Sequence, residues 1–320
     1  MPTRLFTAFA LPLLLLFPNL VAADLLVSSG NTSQVLRYDS ATGAFLGVFA
    51  SGGGLVGPSG LAFGPDGNLY VGSANNDRAL RYHGATGAFL NVFADDGGLD
   101  KPMGMTFGPD GNLYVSSFST NQQTPSQVLR YDGTTGAFLG AFANGDELDG
   151  PTGLSFGPDG DLYVASGLTD QVLRYDGSTG AFLNAFASGG GLDGPFGLTF
   201  GPDGNLYVSS NNAGQVLRYD GSTGAFLNVF ASSSELSGPF GMTFGPDGDL
   251  YVSSFNNDRV LRYDGATGVF LGAFASGGGL DGPTFLVFTD GVALPEPANL
   301  TLLGLSALGL AGYSWRRRSP

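Results

Sequence analysis

Short apolar runs separated by clusters of Gly, Pro, Asp and Asn fill the chain between its two apolar ends, and this pattern predicts short strands joined by tight turns. The segment Phe63-Gly64-Pro65-Asp66-Gly67-Asn68-Leu69-Tyr70-Val71 returns nearly unchanged, with its Asp at Asp110, Asp159, Asp203 and Asp247, at offsets of 44, 49, 44 and 44 residues. Repeats of that length are propeller blades or solenoid units. Each unit also carries a second motif, as in Gln127-Val128-Leu129-Arg130-Tyr131-Asp132-Gly133, and a third, as in Thr135-Gly136-Ala137-Phe138-Leu139-Gly140-Ala141-Phe142-Ala143. One unit therefore supplies four strands, which in the second unit are predicted near Met103 to Phe107, Leu113 to Ser117, Val128 to Tyr131 and Phe138 to Phe142. Pro109-Asp110-Gly111 suits the first hairpin, because Pro fixes φ and Gly accepts a positive one. The longer unit places its extra residues in Ser119 to Pro125, a surface loop.

Asp24 to Ala50 holds the second, third and fourth strands of a further unit without its first. The missing strand is predicted at the far end, in Gly282 to Gly291. Joining the two fragments closes a ring and removes an open sheet edge, which an open solenoid has no use for. The fold class expected is all-β, a six-bladed β-propeller over residues 24–291 with its sixth blade shared by both termini.

The ends read differently. Residues 1–23 have the layout of a signal peptide: Arg4, an apolar run from Leu5 to Phe17, and Val21-Ala22-Ala23, with cleavage after Ala23. A buried strand or an uncleaved anchor is the alternative, disfavoured by Pro12 and Pro18. Residues 292–297 form a linker containing Pro295-Glu296-Pro297, and residues 298–320 carry the apolar stretch Ala298 to Trp315 followed by Arg316, Arg317 and Arg318. As a helix that stretch spans about 27 Å, enough to cross a bilayer core, and the arginines would stop on the cytoplasmic side. A soluble core helix would leave the terminal arginines unexplained. The tail resembles the PEP-CTERM sorting signal, which has the same three parts in the same order. The resemblance implies an exosortase-like partner enzyme, processing near Pro295 to Pro297, and the surface or extracellular matrix of a Gram-negative bacterium.

Composition narrows the function. The formal charge is −14, and Lys101 is the one lysine, so a nucleic-acid groove is excluded. Cysteine is absent, which removes disulfides, thiolate metal sites and cysteine nucleophiles.

The repeats resemble the NHL-repeat family and the wider group of six-bladed propellers that includes gluconolactonase-like proteins and virginiamycin-type lyases. NHL propellers are interaction modules and the other two groups are enzymes, so the resemblance implies a fold more than an activity. Positions expected at the upper channel, just after the Pro that opens each first strand, are Ser59, Met103, Thr152, Phe196, Phe240 and Thr284. No acid or histidine stands there, and the glutamate that a lactonase-like metal site implies is missing. His83, the single histidine, occupies a turn where the other units have Asp39, Asp132, Asp176, Asp220 and Asp264, which reads as a turn substitution. Arg37, Arg81, Arg130, Arg174, Arg218 and Arg262 recur once per unit, as a shared packing or salt-bridge element or as a ring for an anionic polymer. The loops between second and third strands hold Asn75, Asn76 and Asp77, Asn211 and Asn212, and Asn256, Asn257 and Asp258. These side chains suit turns and equally suit sugar hydroxyls or a structural Ca²⁺ ion.

With no catalytic constellation found, the function expected is an exported, non-enzymatic binding or scaffold module for a protein or polysaccharide, with no required cofactor. The alternative is a lactonase- or lyase-like propeller enzyme acting on an extracellular sugar derivative.

Overall fold

The computed structural model describes residues 23–119, 125–145 and 147–289. The predicted signal peptide before Ala23, the Pro-Glu-Pro linker, the apolar stretch and the basic tail lie outside the described residues, as does most of the extra loop in the longer unit. Among the described residues no helix is long and apolar enough to cross a membrane.

Strands β1 (Leu25–Ser29), β2 (Gln34–Tyr38) and β3 (Phe45–Ala50) open the chain. Blade 1 follows as β4 (Pro58–Phe63), β5 (Leu69–Ser73), β6 (Arg78–Tyr82) and β7 (Phe89–Ala94). Blade 2 is β8 (Pro102–Phe107), β9 (Leu113–Ser117), β10 (Gln127–Tyr131) and β11 (Phe138–Ala143), each within one residue of the sequence expectation. Blade 3 is β12 (Pro151–Phe156), β13 (Leu162–Ser166), β14 (Gln171–Tyr175) and β15 (Phe182–Ser188). Blade 4 comprises β16 (Pro195–Phe200), β17 (Leu206–Ser210), β18 (Gln215–Tyr219) and β19 (Phe226–Ser232), and blade 5 comprises β20 (Pro239–Phe244), β21 (Leu250–Ser254), β22 (Arg259–Tyr263) and β23 (Phe270–Ser276). The last strand, β24 (Pro283–Phe288), pairs antiparallel with β1 to give a sixth sheet of order β24-β1-β2-β3. The split blade is therefore real, and the chain is a closed six-bladed propeller of four-stranded sheets.

Each second strand, typified by Leu-Tyr-Val-Ser-Ser, is buried along its whole length because both faces of the sheet are covered by neighbouring blades. Alternation sends Leu and Val to one neighbour and Tyr to the other. The core is accordingly a ring of separate clusters, one between each pair of adjacent blades. Tyr163 and Val172 of blade 3 meet Leu198, Leu206 and Val208 of blade 4, and Tyr251 and Val260 of blade 5 meet Leu25, Leu36 and Leu286 of the split blade. Full burial of one such Leu or Val is worth about 1.5–3 kcal/mol, so stability is distributed around the ring. Tyr rings mortise the joints: Tyr207 stands edge-on to Phe230 in its own blade and Phe244 in the next, at 4.8 and 5.0 Å between centroids.

Every innermost strand has an irregularity against its neighbour, as between Pro58 and Leu61 or Pro239 and Met242. Such a bulge re-aims side chains, and here it directs the residue after the Pro toward the mouth of the ring.

Candidate functional site

The six residues that follow those prolines divide into two chemical sets. Thr152 Oγ1 donates to the Pro195 carbonyl at 2.8 Å, Thr284 Oγ1 donates to the Pro58 carbonyl at 2.9 Å, and Ser59 Oγ donates to the Pro102 carbonyl. Met103, Phe196 and Phe240 have no hydroxyl, and in their blades a serine of the second strand bridges to the next blade instead: Ser116 to the Thr152 carbonyl, Ser209 to the Phe240 carbonyl at 2.6 Å, and Ser253 to the Thr284 carbonyl. The inter-blade hydrogen bond is thus made in all six blades, from one strand or the other. Where the second strand makes it, the mouth position is released for a large apolar side chain. In the split blade Thr284 makes the bond, and the equivalent Ser28 Oγ is buried without a partner.

The released positions build a cavity of about 250 Å³ at the mouth, lined by residues from five blades. Phe196 and Phe240 lie 4.0 Å apart, centroid to centroid, and Phe240 stacks on Phe255 at 5.0 Å and 26°. Met103 and Phe118 extend this apolar wall, while Ser59, Thr284, Asn31 and Asn75 supply the polar side. The two lining hydroxyls are already engaged in the inter-blade bonds. Asn31 Nδ2 donates to Asp281 Oδ1 at 2.7 Å, whereas the Asn75 side chain has no protein hydrogen bond among the described residues.

Lys101 also lines this cavity. It precedes the Pro of blade 2, at a position that is Gly57, Gly150, Gly194, Gly238 and Gly282 in the other blades. All six residues are left-handed, the glycines with φ between 59° and 62° and Lys101 with φ 46°. Glycine adopts that conformation freely, but a residue with a Cβ is strained there by about 1–2 kcal/mol. The four other left-handed non-glycines among the described residues are loop residues, and all four use their side chains to accept the backbone N–H of this very position in the next blade: Ser33 from Gly57, Asp77 from Lys101, Asp170 from Gly194 and Asp258 from Gly282. Among the described residues the Lys101 side chain makes no such local bond. Its ammonium sits 5.4 Å from the centre of the Phe118 ring and takes part in no ion pair among the described residues.

Most of the asparagine-rich loop atoms read from the sequence as a ligand surface are bound to the protein instead. Asn76 Nδ2 donates to the Gly54 carbonyl at 2.6 Å, Asn211 Nδ2 to the Pro239 carbonyl at 3.1 Å and Asn212 Nδ2 to Asp193 Oδ1 at 2.8 Å. Asn256 Nδ2 reaches Ser237 Oγ at 3.3 Å, Asn257 reaches the Glu235 carbonyl, and Asp77 and Asp258 clasp the following blades as above. Of that group only Asn75 lines the cavity. Among the described residues no three His, Cys, Asp or Glu side chains converge as a metal site.

The recurring acids and arginines belong to the opposite end of the ring, where the first hairpins turn. Arg81, Arg174, Arg218 and Arg262 pair with Asp66, Asp159, Asp203 and Asp247, Arg37 pairs with Asp24, and Arg130 lies over Phe142 at 5.5 Å. Burial pushes the Asp66 carboxyl up, yet the Asn68 side chain and N–H, the Tyr70 hydroxyl and Arg81 together hold it below the ordinary carboxylate value. Burial pushes Tyr114 up to about 12, so it stays a neutral donor to Asp110 at 3.0 Å. His83 caps its turn: Nδ1 accepts the N–H groups of Ala85 and Thr86 at 3.2 and 3.3 Å, as Asp39 Oδ1 accepts those of Ala41 and Thr42.

Comparison with known proteins agrees with this architecture. A chain in the crystal structure of a nidogen/laminin complex superposes with a TM-score of 0.69 at 16% identity, covering 84% of this chain and 99% of that one. A Bacteroides caccae protein of unknown function gives 0.65 at 15% identity, with the same coverage of 84% and 99%. A streptogramin B lyase structure gives 0.53 at 18% identity, covering 69% of each chain. No curated protein sequence matches. At these identities the structural likeness speaks for the fold alone, but the virginiamycin B lyase family matches residues 49–270 directly from sequence. With more than two thirds of its length in that match, this chain belongs to the virginiamycin B lyase family.

Proposed function

We propose that the chain is an exported, surface-sorted propeller that binds a ligand at its axial mouth without transforming it, as a binding or scaffold module of the cell envelope or extracellular matrix. The observation that carries this reading is the chemistry of the cavity wall: Phe118, Phe196, Phe240, Phe255 and Met103 give contact area, and Lys101 is the one titratable side chain on it among the described residues. A lyase must take a proton from carbon and stabilise the charge that develops, which calls for a positioned base beside an electrophile. The imidazole of His83 is spent on a turn at the other end of the ring. Family membership favours the second reading, a lyase- or lactonase-like enzyme acting on a sugar derivative.

The two readings part on the fate of the ligand. Full-length protein screened against extracellular glycans and peptides should retain a ligand and return it at unchanged mass. Phe240→Ala should weaken retention about tenfold or more, since truncating a central aromatic anchor costs about 2 kcal/mol. A ligand recovered with its ring opened or with a new double bond would make the chain an enzyme.

Sorting is supported by the sequence of the tail. An exosortase-like enzyme would cut near Pro295 to Pro297, and the apolar stretch with Arg316 to Arg318 would hold the precursor in the membrane until then. Mass spectrometry of surface material from a host that carries the enzyme should find a chain lacking Arg316 to Arg318, while Glu296→Ala should accumulate at full length. An intact terminus through Pro320 on the wild-type surface protein means a permanent anchor.

A further inference from the structure

We infer that the axial cavity selects apolar ligands bearing an anionic group, a carboxylate in the simplest case, and that Lys101 is the residue that determines this specificity. The inference rests on the cavity being a binding site, as proposed above, and adds the class of ligand.

Three observations converge on it. Lys101 holds a left-handed backbone where the other five blades place glycine, and among the described residues no local hydrogen bond from its side chain compensates. Strain of this kind persists only where the surrounding structure enforces it, and it concentrates at functional sites. The chain is strongly acidic, with 27 Asp and Glu against 13 Lys and Arg, yet this ammonium, half-buried at the cavity, is in no ion pair among the described residues. Finally, among the described residues the cavity wall contains no carboxylate to compete for it, and the Asn75 amide offers a second donor without a protein partner.

The acids beside the mouth, Asp77, Asp100 and Asp281, do not line the cavity. Asp77 Oδ1 accepts the Lys101 backbone N–H at 2.8 Å, and Asp281 Oδ1 accepts from Asn31 Nδ2 at 2.7 Å. Charges farther around the ring are screened over about 8–10 Å at physiological salt. A cation beside the Phe118 face, at the edge of an apolar wall, is poorly hydrated on one side. A ligand carboxylate replaces that lost hydration, while the ligand's apolar body lies against Phe196, Phe240 and Phe255.

The test uses phenylacetate and its neutral isostere phenylacetamide as probes of the full-length protein, with affinities from ligand-observed NMR titrations at physiological salt. Phenylacetate should bind about tenfold more tightly than the amide, because a charge-assisted hydrogen bond replaces a neutral one. Lys101→Gly should bring phenylacetate down to the affinity of the amide, and Lys101→Arg should keep the preference. Folding of the glycine variant is checked by its melting temperature, which should not fall, since glycine is what the other blades carry. Equal affinities for the two probes in the wild-type protein, or a preference that survives Lys101→Gly, overturns the inference and leaves the cavity a binding site. Failure of both probes to bind, together with indifference to Phe240→Ala, removes the site itself.

Discussion

A chain ended after Gly282 should lose its cooperative melting transition, or melt more than about 10 °C lower, while a chain ended after Asp290 should melt as the full-length protein does. The difference between the two is β24. It pairs Leu25 with Phe288, Leu26 with Val287 and Val27 with Leu286. Its Leu286 is buried in the cluster between blade 5 and the split blade, and its Phe288 ring packs 5.0 Å from Tyr251. Two further latches go with it: Thr284 Oγ1 donates to the Pro58 carbonyl at 2.9 Å, and the Asp24 N–H donates to Thr289 Oγ1 at 2.8 Å. Several apolar side chains at about 1.5–3 kcal/mol each amount to most of the 5–15 kcal/mol by which a folded domain is stable. At about 2–4 °C per kcal/mol for a domain of this size, the shift is large. The truncated protein would also expose β1 as a new edge, ready to pair with another chain. Circular dichroism and calorimetry read the effect, and coincident melting of the two truncations would mean that β24 does not hold the ring shut.

Gly224→Ala should cost about 3 kcal/mol or more, against about 1 kcal/mol for Gly204→Ala. Both glycines are left-handed, with φ of 73° and 77°, so both substitutions carry the same backbone strain. They differ in what a methyl group would meet. At Gly204 it enters open space, whereas at Gly224 it would lie 1.7 Å from the Phe186 carbonyl oxygen and 2.7 Å from its carbon. Those atoms belong to the backbone of β15, so no rotamer change relieves the overlap and blade 4 must pull away from blade 3. The gap between the two variants in chemical denaturation measures this blade-to-blade contact. Equal losses would mean that only the backbone angle matters.

The strands were legible because their determinants are local. A period of two in apolar residues and a Gly-Pro-Asp-Gly turn specify a hairpin without reference to the rest of the chain, and in blade 2 the strand ends fall within one residue of expectation. Closure was legible too, since Asp24 to Ala50 lacks a first strand that Gly282 to Gly291 supplies. Of the six positions named from their place after a proline, Ser59, Met103, Phe196, Phe240 and Thr284 line the cavity, whereas Thr152 is buried away from it.

Lys101 was the missed residue, although its signal was present: the position before the proline is glycine in five units and lysine in one. Phe118 and Phe255 were missed because they stand in the most irregular loops, where no repeat pattern marks a facing direction. The asparagines went the other way. Sequence presents Asn76, Asn211, Asn212, Asn256 and Asn257 as free polar groups, and the structure spends their amide donors on loop partners, mostly carbonyls.

By itself, then, the sequence determined the number of strands, their order within each blade and the joining of the two ends, all of which follow from short-range periodicity and from complementarity between repeats. Only the tertiary structure decided which side chains join the positions after the prolines at the axial mouth, Lys101, Phe118 and Phe255 among them. Lys101, Phe240 and Thr284 line one cavity because six bulged strands aim at one axis, and whether a residue there is available or consumed depends on which strand of its own blade bonds a carbonyl of the next blade, a contact that no single repeat contains.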